Sequence, residues 1–206
     1  IGHGVVIFPG GAGTTEELLY LLGVLMHPHN AGHPFPVILT GPGESAEYFE
    51  AVDRYVGKTL GPEAQRHYRI LIDDPSEVAR SMREAMESVK AFRHAGKDAF
   101  YFNWQLHIER AFQEPFEPTH AAMAELSLKT DQPPHQLAAN LRRVFSGIVA
   151  GNVKEEGIRA VDAQGPFEIH AGPEMAAATD DLLQRFVAQR RMKLQGEYTP
   201  CYTLVG

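Results

Sequence analysis

Short apolar runs alternate with amphipathic segments through the first half of the chain. The runs are rich in β-branched residues and each ends at proline, glycine or aspartate: Val5–Phe8, Pro36–Thr40 and Tyr68–Ile72. Continuous apolar runs of this length are typical of buried parallel strands. Leucine and methionine recur at helical spacing from Thr14 to Met26. Further helices are predicted over 44–60 and from Pro75 to about Phe92.

Strand and helix therefore alternate, which predicts an α/β fold: a Rossmann-like parallel sheet flanked by helices. Beyond residue 95 the pattern becomes mainly helical, and two short segments are left open as strands or turns. The helices are expected over about 101–112, 120–126, 134–150 and 173–193, and the open segments are 158–161 and 167–170. We predict two domains, a partial Rossmann-like nucleotide-binding domain over 1–95 and a mainly helical domain over 96–206. Since the chain opens without methionine directly before an apolar run, we expect the N-terminal part of the sheet to lie outside it.

Composition narrows the function classes. The 206-residue chain has a formal net charge of −7, and an acidic chain is a poor candidate for binding nucleic acid. The single cysteine, Cys201, excludes an intrachain disulfide and favours a reducing cytoplasm. No apolar run approaches the roughly 20 residues of a membrane span. We therefore expect a cytoplasmic protein that contacts neither nucleic acid nor membrane.

A glycine-rich segment, Pro9–Glu17, joins the first predicted strand to the first helix. Gly10, Gly11 and Gly13 allow the backbone to approach a ligand closely, and their N–H groups can converge on one anion. Thr14 adds a hydroxyl and is the predicted N-cap. The GK[ST] ending of a Walker A loop and the GxGxxG of a dinucleotide loop are both missing. The segment therefore predicts a phosphate cradle of another kind.

Two carboxylates follow the cradle, in what we predict to be the first helical turn. Glu16 and Glu17 point about 100° apart around a helix, so both cannot face the ligand equally. At most one of them is therefore expected to face the ligand, and the other to act as a partner of the helix dipole. Thr40 and Gly41 end the adjacent strand and are expected to line the same crevice, where open parallel sheets bind ligands.

The spacing PGGxGTxxE, from Pro9 to Glu17, resembles the motif of the Lonely Guy phosphoribohydrolase family, whose members also carry the label lysine decarboxylase. The likeness spans essentially the whole chain and extends to the bacterial pyrimidine/purine nucleotide 5'-monophosphate nucleosidases, larger relatives with extra N- and C-terminal domains. The other segments that carry it are Glu17–Gly23, Leu39–Pro42, Phe102–Trp104, Pro115–Pro118 and Phe145–Lys154.

The resemblance implies hydrolysis of a nucleoside 5'-monophosphate to free base and ribose 5-phosphate. It makes Glu17 the catalytic carboxylate, near the anomeric carbon, and the cradle with Thr40 and Gly41 the phosphate site. The family also uses an arginine from a helix before the motif. That arginine would lie before Ile1, so we expect this chain alone to be inactive.

Further contacts are implied less directly. Asn103 and Trp104 could bind the base, although an aromatic core at this position is an equal alternative. Arg93, in the link between the predicted domains, is a candidate contact for the guanosine tetraphosphate-type effector that regulates the nucleosidases. The family suggests a homo-oligomer, and neither a cofactor nor a metal is expected.

Two other functions stay open at this point. A nucleotide or molybdenum-cofactor carrier would bind without chemistry, but such a carrier has no need of a carboxylate at Glu17. A cytokinin riboside 5'-monophosphate phosphoribohydrolase would share the motif, yet those enzymes are small single domains without the long helical region seen here.

Two chemistries are disfavoured by the residues themselves. A pyridoxal-phosphate decarboxylase needs a Schiff-base lysine, and none of the lysines follows a strand in that setting. His27, His29 and His33 fit no standard zinc spacing and have no carboxylate or cysteine nearby in sequence.

Asp73 and Asp74 are expected to cap the helix that begins near Pro75 rather than to touch ligand.

Overall fold

The chain folds around a three-stranded parallel sheet with helices packed against it. The computed structural model describes residues 3–97, 106–192, 194 and 198–205. The sheet has the order β1-β2-β3, formed by Val5–Ile7, Val37–Gly41 and Arg69–Ile72. Its register pairs Val6 with Ile38 and Leu39 with Ile70. All five residues of β2 are buried, as expected for a central parallel strand.

Helices make up most of the rest of the described chain. In chain order they are α1 Ala12–Leu25, α2 Ala46–Thr59, α3 Pro62–Gln65, α4 Pro75–Ala95, α5 Arg110–Gln113, α6 His120–Ala124, α7 Pro134–Val153, α8 Glu155–Gln164 and α9 Pro173–Ala188. Short 3-10 turns precede β2 and α2, at Pro28–Asn30 and Gly43–Ser45. Two further strands, β4 (Phe167–His170) and β5 (Tyr202–Val205), form a separate parallel pair. In the described residues no helix is both long and apolar enough to cross a membrane.

The α/β class and the alternating strands and helices of the first segment are confirmed, while several local predictions are wrong. Helix α1 begins at Ala12 with Gly11 as its N-cap, so Thr14 lies inside the helix and caps nothing. Residues 158–161 belong to helix α8 rather than to a strand or turn. Of the helix predicted over 101–112, residues 101–105 lie outside the described residues, 106–109 are irregular, and a helix begins at Arg110. Strand β5 was not anticipated, because its pairing with β4 joins residues far apart in sequence.

A continuous hydrophobic core contains side chains from both predicted domains, 1–95 and 96–206. It includes Leu19 and Leu22 of α1 together with Leu141, Phe145 and Ile148 of α7, all fully buried. Helix α1 therefore shares one core with strand β2 and with α7. The division into two domains near residue 95 stays a prediction.

Candidate active site

The glycine-rich segment leads from β1 directly into the N-terminus of α1. The N-cap of α1 is Gly11, which has no side chain with which to cap the first turn. The first N–H groups of an α-helix have no partner within the helix, and here they are those of Ala12, Gly13 and Thr14. Together with the helix dipole they form a site that favours an anion. No acidic residue lies in this turn to neutralise it.

Two of the glycines are required by close packing. A Cβ on Gly10 would lie 1.9 Å from Oγ1 of Thr14, and a Cβ on Gly11 would lie 2.0 Å from the carbonyl oxygen of Arg191. Gly13 differs, since a Cβ built there meets nothing within 4 Å. The loop is therefore closed on one side by protein and open on the other, at Gly13.

The two glutamates separate as the helix register requires, although both lie in the second turn of α1 rather than the first. Glu17 is exposed and follows Gly13 by four residues, so the two share one face of the helix. Glu16 turns towards α7, where its Oε1 lies 3.7 Å from Nε of Arg142. Burial raises the pKa of Glu16, while the Arg142 guanidinium and the Ser146 hydroxyl act in the opposite direction. Of the two carboxylates, only Glu17 faces the open side of the loop.

Beneath the loop lie two side chains that the sequence did not single out as its partners. Tyr48 of α2 is 2% exposed. Burial raises the pKa of its hydroxyl, and the nearby Gly10 amide and Thr15 hydroxyl oppose that shift. The guanidinium of Arg191 lies over the Tyr48 ring, 4.6 Å from its centroid. Arg191 follows α9, so it is the return of the chain after that helix that brings this guanidinium to Tyr48.

The adjacent strand end lies where it was predicted. Thr40 and Gly41 are the last residues of β2, and they line a groove of about 630 Å³ together with Phe8 and the start of α4. The Thr40 hydroxyl donates to the carbonyl oxygen of Leu71 at 2.6 Å, so its proton is already engaged. Asp74 caps α4 as expected, its Oδ1 accepting from the Glu77 N–H at 2.8 Å.

Three further residues were predicted as contacts of the base or of an effector. Asn103 and Trp104 fall outside the described residues. Arg93 is buried, and its Nη1 donates to Nε2 of His3 at 3.0 Å.

The structure also gathers histidines that are distant in sequence, at the opposite end of α1. His27, His29 and His107 form one group whose ligand atoms lie within 4.8 Å of one another, and His27, Glu109 and His135 form a second. His33 belongs to neither group. The sequence argument against a metal, that no carboxylate is near, therefore fails in space, because Glu109 lies beside His27.

The parallel sheet and the glycine-rich loop at the start of α1 define an α/β protein with a candidate anion-binding loop. Residues 1–82 match a family model described as "Possible lysine decarboxylase". Residues 86–205 match a second model, described as "Pyrimidine/purine nucleotide monophosphate nucleosidase, C-terminal". The chain belongs to this nucleosidase family.

Curated relatives support the same assignment. The chain is 58% identical over 205 residues to the pyrimidine/purine nucleotide 5'-monophosphate nucleosidase of Escherichia coli K12, and equally to that of the O157:H7 strain. The match covers 99% of this chain and 45% of each relative. The chain thus spans less than half the length of the relatives it matches.

Proposed function

We propose that the protein hydrolyses the N-glycosidic bond of nucleoside 5'-monophosphates, releasing a nucleobase and ribose 5-phosphate. One observation carries the proposal: Glu17 lies one helical turn beyond Gly13, on the open face of an uncapped helix N-terminus. That arrangement puts a carboxylate close to any ligand whose phosphate binds the loop. The similarity to nucleosidases over 99% of the chain supports the same activity.

The chemistry follows from the charge that develops during cleavage. Breaking the bond between the base and C1' leaves an oxocarbenium-like sugar, and a carboxylate beside it stabilises that positive charge. Water adds its hydroxide to C1', and the departing base takes the remaining proton. The loop N–H groups hold the 5'-phosphate, and Glu17 orients the water or removes its proton. The nucleotide is the only bound partner this scheme requires.

Arg191 and Tyr48 extend the anchor. The Arg191 carbonyl lies against Gly11, and its guanidinium lies over Tyr48 directly beneath the loop. A cation at this place strengthens the field that an anionic phosphate meets. We assign Arg191 to phosphate binding and Tyr48 to support of the loop.

Several coarser features complete the proposal. The three-stranded parallel sheet is part of a Rossmann-like sheet, and Thr40 and Gly41 border the nucleotide at the carboxyl ends of its strands. The protein works in the cytoplasm as a homo-oligomer. A guanosine tetraphosphate-type effector acting through Arg93, and a base contact by Asn103 and Trp104, stay predictions.

The test compares two adjacent carboxylates in the full-length protein. AMP, GMP, CMP, UMP and IMP are each supplied, and free base and ribose 5-phosphate are quantified by chromatography. We expect Glu17→Gln to lower kcat by about 100- to 10,000-fold, the usual range for a group that transfers a proton in the transition state. Glu16→Gln is the matched control, since Glu16 faces α7, and it should keep activity within a few fold.

The alternatives predict other results. A nucleotide or molybdenum-cofactor carrier would bind nucleotide and release no base even in the wild-type protein. A cytokinin riboside 5'-monophosphate phosphoribohydrolase would cleave only that modified nucleotide and leave the five common ones intact. If the wild-type protein releases base and Glu17→Gln releases it equally fast, the catalytic role of Glu17 is refuted.

A further inference from the structure

A cluster of imidazoles and one carboxylate lies where the C-terminal end of α1 meets the start of α7. His27 follows α1, His135 is in the first turn of α7, and Glu109 directly precedes α5. His27 and His135 are buried, at 8% and 7% exposure, and the Glu109 side chain is 29% exposed. His29 and His107 surround the same centre, with ring centroids 5.0 Å and 4.4 Å from that of His27. Elements from three parts of the chain thus converge on one carboxylate.

The distances fit a small cation held by the buried members of the cluster. Glu109 Oε1 lies 3.1 Å from His27 Nε2 and 3.7 Å from His135 Nε2. Zinc binds nitrogen and oxygen ligands at about 2.0–2.1 Å, so two ligands of a tetrahedral site lie roughly 3.3 Å apart. The two measured separations bracket that value. Two histidines and a glutamate also form a known zinc ligand set that leaves a fourth position for water.

The cluster is built on a fixed support. Asn30 is 2% exposed, and its side-chain amide donates to the carbonyl of His107 at 2.8 Å. Its Oδ1 accepts from the His107 N–H at 2.6 Å. This pair of hydrogen bonds fixes the backbone two residues before Glu109. The segment that carries the carboxylate is therefore anchored by two hydrogen bonds to a buried side chain.

The hydrogen bonds around His27 select one tautomer of its neutral ring. Its Nδ1 accepts from the His29 N–H at 3.2 Å, so the neutral ring carries its proton on Nε2 and donates it to Glu109. A cation bound at Nε2 displaces that proton, which moves through solvent to Nδ1. The His29 N–H then loses its acceptor. Metal binding and the metal-free hydrogen bonds are therefore alternative states of one ring.

We propose that His27, Glu109 and His135 bind a divalent transition-metal ion of the Zn²⁺ type, with water in the fourth position. The site is distinct from the phosphate loop, because the 14 residues of α1 separate the two by about 20 Å. A bound ion joins the segment before α5 to the ends of α1 and α7. Its role is structural, and it takes no part in cleaving the nucleotide.

The experiment measures metal binding by the full-length protein without an affinity tag. The protein is stripped with a chelator and dialysed, and Zn²⁺ is titrated by calorimetry while metal content is determined by mass spectrometry. The variants Glu109→Gln and His135→Gln test the ligand set. His94→Gln, an exposed histidine outside the cluster, is the matched control. Circular dichroism of each metal-free variant checks that it folds.

We expect one Zn²⁺ per chain in the wild-type and control proteins, and an affinity lowered by more than about 100-fold in each ligand variant. Imidazole nitrogen NMR of the wild-type protein should show the proton of His27 moving from Nε2 to Nδ1 as Zn²⁺ is added. This measurement needs no variant to fold. Failure of the wild-type protein to bind Zn²⁺, or equal affinity in the ligand variants and the control, would overturn the proposal. If His29→Gln and His107→Gln lose Zn²⁺ binding while Glu109→Gln and His135→Gln keep it, the proposed ligand set is overturned in favour of the exposed histidines.

Discussion

Adding one methyl group at Gly13 should stabilise the fold and weaken the proposed nucleotide cleavage at the same time. A Cβ at this position meets no protein atom within 4 Å, so Gly13→Ala introduces no clash. Gly13 is helical, and alanine is favoured over glycine in a helix interior by about 0.8–1.0 kcal/mol. We take that as the upper limit near a helix start. The unfolding midpoint should therefore hold or rise by a few degrees, about 2–4 °C per kcal/mol for a chain of this size.

Nucleotide cleavage should move in the opposite direction. The space beside Gly13 is where the proposed 5'-phosphate approaches the loop, and a methyl group there separates it from at least one N–H donor. A hydrogen bond to a charged group contributes about 1.5–3 kcal/mol, which corresponds to a roughly 10- to 150-fold loss in kcat/KM. The assay is base release from AMP alongside thermal unfolding of the same preparation.

The matched control adds the same methyl group elsewhere. Gly172 is the N-cap of α9 and also has nothing within 4 Å of a built Cβ, but it lies outside the loop. Gly172→Ala should leave base release unchanged. An unaltered kcat/KM in Gly13→Ala, with the protein folded, would refute the placement of the phosphate at this turn.

Three further predictions concern Arg191, Asn30 and Cys201. Arg191→Met should raise the KM for nucleotide about tenfold through loss of one charged contact, whereas the exposed neighbour in Arg190→Met should change it little in the same assay. Asn30→Ala should lower the free energy of unfolding by about 2–4 kcal/mol in urea titrations, because it removes three hydrogen bonds of a buried side chain at once. Burial raises the pKa of the Cys201 thiol from 9.0 to about 12. Since the unfolded chain loses this proton first, stability should fall with rising pH from about 9 upward, and Cys201→Ala should flatten that slope in unfolding measurements.

The sequence could predict whatever depends on neighbours along the chain. The apolar runs located the three strands of the sheet, and the helix register alone separated Glu17 from Glu16. Asp74 was predicted as a helix cap for the same reason, since Asp74 and the Glu77 N–H that it caps lie within one turn. The error at Thr14 is also local: a cap was expected from a hydroxyl, but the glycine three residues earlier already takes the extended backbone that starts the helix.

Contacts between distant segments could not be predicted from patterns. His27 and Glu109 are 82 residues apart, and nothing in the spacing of His27, His29 and His33 indicates that a carboxylate closes the group. Strand β5 was missed because Tyr202–Val205 is not a continuous apolar run and its partner β4 lies in a distant part of the chain. The packing of the Arg191 carbonyl against Gly11 also joins distant residues, and no local pattern indicates it.

The contact between Arg191 and Gly11 joins the two parts of the chain that the two family models match. The glycine loop belongs to residues 1–82, and Arg191 to residues 86–205. Tyr48, beneath the loop, stacks on Phe186 of α9 with ring centroids 5.4 Å apart and carries the Arg191 guanidinium on its ring. The motif supplies the N–H groups and the carboxylate, but the second segment supplies the carbonyl packed against Gly11 and the cation below it. A loop formed by the first segment alone would keep the sequence of the motif and lose the surroundings that give it this shape and charge.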